Sequence, residues 1–158
     1  MKAELEQTCR LAWGAYVFLR EGAATLAARS ATAKLLATPG AATAALALSR
    51  AREELEELRG VLAGTHSDPF VLEVSQVWYW CCVSALLSGL SYDDWSPHQA
   101  WRGDRGGARA PECGRILAEA GRAMAGRLEP REALRYDLVQ LRAKDYLADF
   151  FAQQDGGP

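Results

Sequence analysis

The chain has few residues of the kinds that hold zinc. Its 158 residues include four cysteines and two histidines, and no two cysteines are spaced as a CxxC pair. A zinc site is therefore not expected. Cys81 and Cys82 lie in an apolar run. We expect them to be buried thiols, which suits a reducing cytoplasm.

The chain also lacks the features of nucleic-acid-binding, secreted and membrane proteins. Its formal net charge is −2, without the excess of lysine and arginine that a nucleic-acid-binding face needs. The first residues have no apolar core followed by a cleavage site, and no run of about 18 apolar residues occurs. We therefore expect a cytoplasmic protein that binds neither nucleic acid nor a membrane.

Patterns typical of β-strands are almost absent, whereas apolar residues recur at helical spacing along most of the chain. The length suits one domain over residues 1–158. We predict an all-α fold, a helical bundle of about five helices, in which Gly22 favours a break in the first helix and Ser67 or Asp68 caps the third. The five helices are predicted at about 3–37, 41–63, 68–88, 112–128 and 131–153, followed by a frayed tail at 155–158.

Residues 91–111 break the helical pattern. They combine prolines and glycines with Arg102, Arg105 and Arg109. The stretch is long for a connection between bundle helices, and such loops are often lids or disordered segments. As a lid, it would close arginines onto phosphate groups, which guanidinium recognises well. As a disordered polar loop, it would have no part in a site.

Acidic residues gather on the second and third predicted helices. Glu54 and Glu57 are three residues apart and so share one helix face, and Glu73 opens the next helix with Gln76 three residues on. The link between the helices is short, so they are antiparallel neighbours and the two pairs are expected to meet. Carboxylates gathered in this way repel one another unless a cation neutralises them, and Mg²⁺ prefers oxygen ligands.

A purely structural interpretation of the same residues stays open. The run 53–57 is also typical of a solvated helix face, and Glu73 is also a favourable charge near a helix N-terminus. However, Glu73 is a lone charge in the most apolar helix, and acids are rarely buried unless they are paired or bound to a metal. The aromatic run 78–80 that follows suits either core packing or base stacking.

At these residues the chain resembles a known family. Glu53-Glu54-x-x-Glu57 followed by Glu73-x-x-Gln76 resembles the EExxE…ExxD signature of the all-α nucleoside triphosphate pyrophosphohydrolases. These include the MazG-like enzymes, the dimeric dUTPases and phosphoribosyl-ATP pyrophosphatase. Residues 73–80 and 89–95 resemble the family's helix and its exit, residues 30–36 resemble the first helix of phosphoribosyl-ATP pyrophosphatases, and Arg50 stands where those enzymes often carry a lysine.

The resemblance implies a MazG-like core over about 30–95, a homodimer or tetramer, and hydrolysis of a nucleotide between its α- and β-phosphates with Mg²⁺ or Mn²⁺. By position, Glu54, Glu57 and Glu73 would be the catalytic metal ligands. Gln76 would complete the metal set, but the family has aspartate there, and a neutral amide weakens metal binding. The C-terminal helical pair at about 112–153 is a second departure. The phosphate-binding candidates are Lys34, Arg50, Arg102 and Arg105.

Two alternatives to a hydrolase stay open. Because of Gln76, the chain could be a catalytically degenerate relative that binds a nucleotide or a protein partner. If the acids are a solvated surface, it could instead be a helical interaction protein, such as an immunity or adaptor module.

Overall fold

The computed structural model describes residues 2–144, 147 and 150–152, and these contain helices and no strand. The predicted all-α fold is confirmed. The predicted number of about five helices is not confirmed, because four short helices accompany five of 14 residues or more. In the described part the helices are α1 (Lys2–Glu21), α2 (Ala23–Leu26), α3 (Ala31–Leu36), α4 (Ala41–Ala63), α5 (Phe70–Leu87), α6 (Tyr92–Trp95), α7 (Pro97–Trp101), α8 (Pro111–Met124) and α9 (Pro130–Lys144).

Helix α5 is the centre of the bundle. It contacts α4 along its length and also packs against α1, α3, α8 and α9. Val74, Trp78, Cys82 and Leu86 are buried on it, and all four cysteines of the chain are buried and free, as predicted for Cys81 and Cys82. Other helices therefore pack on the α4–α5 helical hairpin from several sides, which fixes the side chains near the connection between α4 and α5.

Helix α5 is also long and apolar enough to cross a membrane by length and composition alone. Its 18 residues have a mean hydropathy of 1.5, and 67% of them are buried inside the fold. A core helix of a soluble protein meets the same two criteria, so the expectation that no segment spans a membrane stays a prediction.

The first predicted helix is divided into α1, α2 and α3. Gly22 ends α1, as its low helix propensity predicts. Ser30 then begins α3 as an N-cap, because its side-chain oxygen accepts a hydrogen bond from the Ala33 amide at 3.1 Å. The break turns the chain so that α3 packs against both α1 and α5.

The predicted loop at 91–111 is largely folded. It contains α6, which begins with a capping box between Ser91 and Asp94, and α7, whose Trp101 stacks on Trp78 of α5 at 5.1 Å. The non-helical remainder, 102–110, passes close to α8: a Cβ on Gly114 would lie 3.0 Å from the Cα of Gly107. This segment packs closely against the bundle, which a disordered loop would not do.

The C-terminal helical pair consists of α8 and α9, and both pack on α5. The Tyr16 hydroxyl of α1 donates a 2.7 Å hydrogen bond to the buried carboxylate of Asp137 in α9. Residues 150–152 are helical, and Phe150 packs near Phe18 of α1. The predicted continuation of the fifth helix through Tyr146 to 153, and the predicted frayed tail, lie partly or wholly outside the described residues.

Candidate functional site

The acidic run at 53–57 is divided between two faces of α4. Glu53 and Glu56 are exposed, and each forms an ion pair with an arginine on the same helix. Glu54 is only 6% exposed, and Glu57 lies beside it. The solvated-face interpretation therefore holds for Glu53 and Glu56, whereas Glu54 and Glu57 face the neighbouring helix.

Two of these carboxylates are buried and have oxygens without a hydrogen-bond partner. Glu73 has no exposed surface, and neither of its carboxylate oxygens has a hydrogen-bond partner. One carboxylate oxygen of Glu54 also has no hydrogen-bond partner. Burial, with the nearby acids Glu57 and Glu73, raises the pKa of Glu54 to about 8. Burial, with the nearby Asp68 and Glu57, raises the pKa of Glu73 to about 7. An unpaired buried carboxylate is costly, and a bound cation is one means of compensating it.

The connection between α4 and α5 brings two further groups to these acids. The Nε2 atom of His66 lies 2.9 Å from Asp68 Oδ2, 3.4 Å from Glu73 Oε1 and 3.9 Å from Glu57 Oε2. One potential ligand atom from each of these four residues lies within 4.8 Å of the others. We call Glu57, His66, Asp68 and Glu73 the hairpin cluster. Three carboxylates and one imidazole at this spacing, with both Glu73 oxygens unsatisfied, fit a divalent cation.

A cavity of about 410 Å³ opens beside the hairpin cluster. Glu54 belongs to its wall and also neighbours Glu57 and Glu73, so this one carboxylate connects the cavity to the cluster. The wall combines charged, polar and aromatic side chains from α3, α4, α5 and α9. Its lining residues are Arg29, Ala31, Thr32, Arg50, Glu54, Leu72, Ser75, Gln76, Tyr79, Trp80, Asp137, Gln140 and Leu141.

The cavity brings two more of the predicted site residues together. Gln76 lies in its wall and is not part of the hairpin cluster. Arg50 also lines it, with the guanidinium carbon 5.3 Å from the centre of the Trp80 ring and a nitrogen 2.8 Å from Glu53. The aromatic run is divided: Trp78 is buried in the core, whereas Tyr79 and Trp80 line the cavity.

Three of the phosphate-binding candidates lie apart from this site. Lys34 is exposed on α3 and is not among the residues that line the cavity. Arg102 follows α7 and lies 3.7 Å from Asp104, and the exposed Arg105 is close to it in the chain. Neither arginine lines the cavity, and the interpretation of this arginine-rich segment as a lid stays open.

Sequence reasoning missed His66 and Asp68 as potential ligands. Ser67 or Asp68 was expected to cap α5, but the N-cap is Pro69, which has no capping side chain, and the Asp68 carboxylate faces His66. A signal was present: the two residues lie in the connection next to Glu57 and Glu73, and one of the chain's two histidines is there. No protein-family model, curated protein or solved structure matches this chain.

Proposed function

We propose that this protein is a divalent-metal-dependent nucleotide pyrophosphohydrolase, which cleaves a nucleotide between its α- and β-phosphates and releases pyrophosphate. The observation that carries the proposal is the position of Glu54, which lines the cavity and also neighbours the acids of the hairpin cluster. A ligand in the cavity would place its phosphates towards a group of carboxylates that fits a cation. Without that cation, the same carboxylates would repel the phosphates.

The hairpin cluster would hold the metal ion. When bound there, a divalent cation supplies charge that polarises the phosphoryl group and a bound water. The hydrolysis joins a water oxygen to the α-phosphorus and breaks that phosphorus's bond to the bridging oxygen, whose electron pair leaves with pyrophosphate. Glu54 is positioned to accept the proton that the water loses, because its carboxylate lines the cavity and neighbours Glu57 and Glu73 of the cluster.

The rest of the cavity suits the remainder of a nucleotide. Arg50 places a guanidinium at the wall for the phosphates. The half-buried rings of Tyr79 and Trp80 offer apolar surface to a base, and the Tyr79 hydroxyl forms a 2.8 Å hydrogen bond with Thr32 that holds the ring in place. A pocket of this size with a few polar groups is typical of small-molecule sites.

The test is pyrophosphate release from a panel of nucleoside triphosphates and phosphoribosyl-ATP, with MgCl₂ or MnCl₂. We expect turnover by the wild type and a loss of about 10²-fold or more in Glu54→Gln, the scale of a lost general base. Glu56→Gln is the matched control, because it removes the same charge from the exposed face of α4. No release from any substrate by folded wild-type protein would refute the proposal.

A second candidate function, nucleotide binding without hydrolysis, is favoured by Gln76. Its neutral side chain stands in the cavity wall where the resembling family has aspartate. This candidate predicts that a non-hydrolysable triphosphate stabilises the wild type in the presence of Mn²⁺ while no pyrophosphate is released, and that Gln76→Asp gains turnover. Release of pyrophosphate by the wild type, abolished in Glu54→Gln, would exclude it.

A further inference from the structure

We propose that the α4–α5 connection supplies His66 and Asp68 as ligands, so that the hairpin cluster forms a mixed nitrogen–oxygen centre that selects a divalent transition metal, such as Mn²⁺, over Mg²⁺. The inference deepens the metal site of the proposed function. Glu57 and Glu73 provide the oxygen ligands from the two helices. The connection then adds one carboxylate and one imidazole, whose Nε2 lies within 3.9 Å of an oxygen of each acid.

The backbone holds His66 in this position. Gly64 ends α4 in the left-handed region, with a φ of 79°, and turns the chain back over the helix end. The amides of Thr65 and His66 then donate hydrogen bonds to the Gly60 carbonyl at 2.9 Å and 3.2 Å. Gly60 leaves room for this contact, because a Cβ there would lie 3.1 Å from the His66 Cβ. The imidazole is therefore presented by a fixed turn.

Hydrogen bonds from the His66 imidazole do not satisfy every carboxylate of the hairpin cluster. Asp68 Oδ2 is the acid oxygen nearest to His66 Nε2, at 2.9 Å, and a single hydrogen bond at that nitrogen serves one carboxylate of the three. Glu73 Oε1 lies 3.4 Å from the same nitrogen without a hydrogen bond, and Glu73 Oε2 also has no partner. A cation among the four residues contacts all of them at once, which one N–H does not.

The ligand types determine which cation is favoured. Mg²⁺ takes oxygen ligands and retains much of its water, so an imidazole nitrogen adds little to its binding. Divalent transition metals accept imidazole together with carboxylates and bind mixed sites of this kind more tightly. The three carboxylates keep the site within the range of Mn²⁺, and the chain's cysteines, all buried, do not belong to the cluster.

The test uses the full chain freed of metal with EDTA and then titrated with MnCl₂ or MgCl₂ by calorimetry. In parallel, electron spin-echo measurements on the Mn²⁺ complex detect coupling to a ligand ¹⁴N nucleus. The variants are His66→Gln and Glu73→Gln, with Glu56→Gln as the control. The His66 side chain is 33% exposed, and the Glu73→Gln change is isosteric, so both variants are expected to fold. Thermal melting of each variant without metal checks this.

We expect one Mn²⁺ per chain, with ¹⁴N coupling in the wild type and in Glu56→Gln. His66→Gln should lose the coupling and bind Mn²⁺ about tenfold or more weakly, while its Mg²⁺ affinity changes by less than about threefold. Glu73→Gln should lose most of its affinity for both ions. A wild-type Mn²⁺ complex without ¹⁴N coupling, or His66→Gln that binds Mn²⁺ as the wild type does, would overturn the inference.

These readouts do not depend on turnover. Mn²⁺ binding with nitrogen coupling but no pyrophosphate release supports the metal centre and refutes the hydrolase. Pyrophosphate release without nitrogen coupling supports the hydrolase and overturns the assignment of His66 as a ligand.

Discussion

At the scale of single residues, Glu54 and Glu56 show how helix geometry separates like groups. They are two positions apart on α4, which places them on nearly opposite faces. The Glu56 side chain is 68% exposed and ion-pairs with Arg59, whereas Glu54 is buried beside Glu57 and Glu73. The Glu56 carboxylate keeps its water, while that of Glu54 depends on its neighbours. The functional cost of removing each charge therefore differs.

Glu73→Gln is expected to stabilise the metal-free protein. The change removes a fully buried charge that has no hydrogen-bond partner, and the new amide donates to nearby carboxylates such as Asp68. Relief of an unsatisfied buried group is worth about 1–3 kcal/mol, so the free energy of unfolding at pH 8 should rise by that amount. Denaturant unfolding of EDTA-treated protein measures it.

The same variant should gain no stability from Mn²⁺, because the metal no longer finds its buried ligand. Glu56→Gln serves as the control and should lie within about 0.5 kcal/mol of the wild type, as an exposed substitution. If metal-free Glu73→Gln is less stable than the wild type, the carboxylate has a stabilising partner and the interpretation of Glu73 as unsatisfied is wrong.

At the scale of elements, the close approach of α8 to α7 depends on a glycine. A Cβ on Gly121 would lie 2.0 Å from the carbonyl oxygen of Trp101, at the end of α7. Because that neighbour is backbone, Gly121→Ala must push the helices apart, and we expect a loss of about 1–3 kcal/mol in the free energy of unfolding. Urea unfolding compared with the wild type is the measurement.

Gly14 in α1 is the matched control for this prediction. A Cβ there would lie 3.6 Å from the Phe150 ring, an ordinary contact, so Gly14→Ala should instead stabilise by about 0.5–1 kcal/mol through its higher helix propensity. The two alanine substitutions should therefore have opposite signs. Gly121→Ala that is as stable as the wild type would show that α7 does not pack closely on α8.

Local signals predicted the helical hairpin well and the segment after it poorly. Pro39-Gly40 and Gly64 enclose α4, and the structure places that helix at the predicted bounds. The two short helices at 92–101 were missed because their positions depend on distant partners, such as the stacking of Trp101 on Trp78. Four or five residues carry too little periodicity to reveal a helix.

At the scale of the whole molecule, the site was predictable only where it follows from one hairpin. Glu54, Glu57 and Glu73 converge because two antiparallel helices with a short link bring them together. Asp137 and Gln140 line the cavity from α9, more than 50 residues after Trp80, the last cavity residue of the hairpin. No local sequence pattern predicts that they lie there. Glu54, Glu57 and Glu73 could therefore be brought together from the sequence, whereas Asp68 as a potential ligand and the cavity could not.

The stability of the metal-free molecule should depend on pH through buried groups whose pKa values shift in opposite directions on folding. Burial raises the pKa of Glu54 and Glu73 above the value of about 4.5 in the unfolded chain, so the folded state binds more protons, and stability falls as pH rises from about 4.5 to about 8. Burial lowers the pKa of His98 below 6.5, so its contribution is lost as pH falls below that value. Of these three groups, therefore, only Glu54 and Glu73 change the stability with pH above pH 6.5.

Melting temperature measured in EDTA from pH 6.5 to pH 8.5, compared between the wild type and the double variant Glu54→Gln/Glu73→Gln, measures that effect. The wild type should lose several degrees across this range, because the free energy needed to ionise the two buried carboxyls is drawn from folding. The double variant Glu54→Gln/Glu73→Gln lacks both carboxyls, so its melting temperature should fall by less, with the buried cysteines the remaining groups of shifted pKa near this range. Saturating Mn²⁺ should reverse the wild-type slope, since metal binding favours the ionised carboxylates that high pH produces. A wild-type curve parallel to that of the double variant would mean that the two carboxyls ionise alike in the folded and unfolded chains.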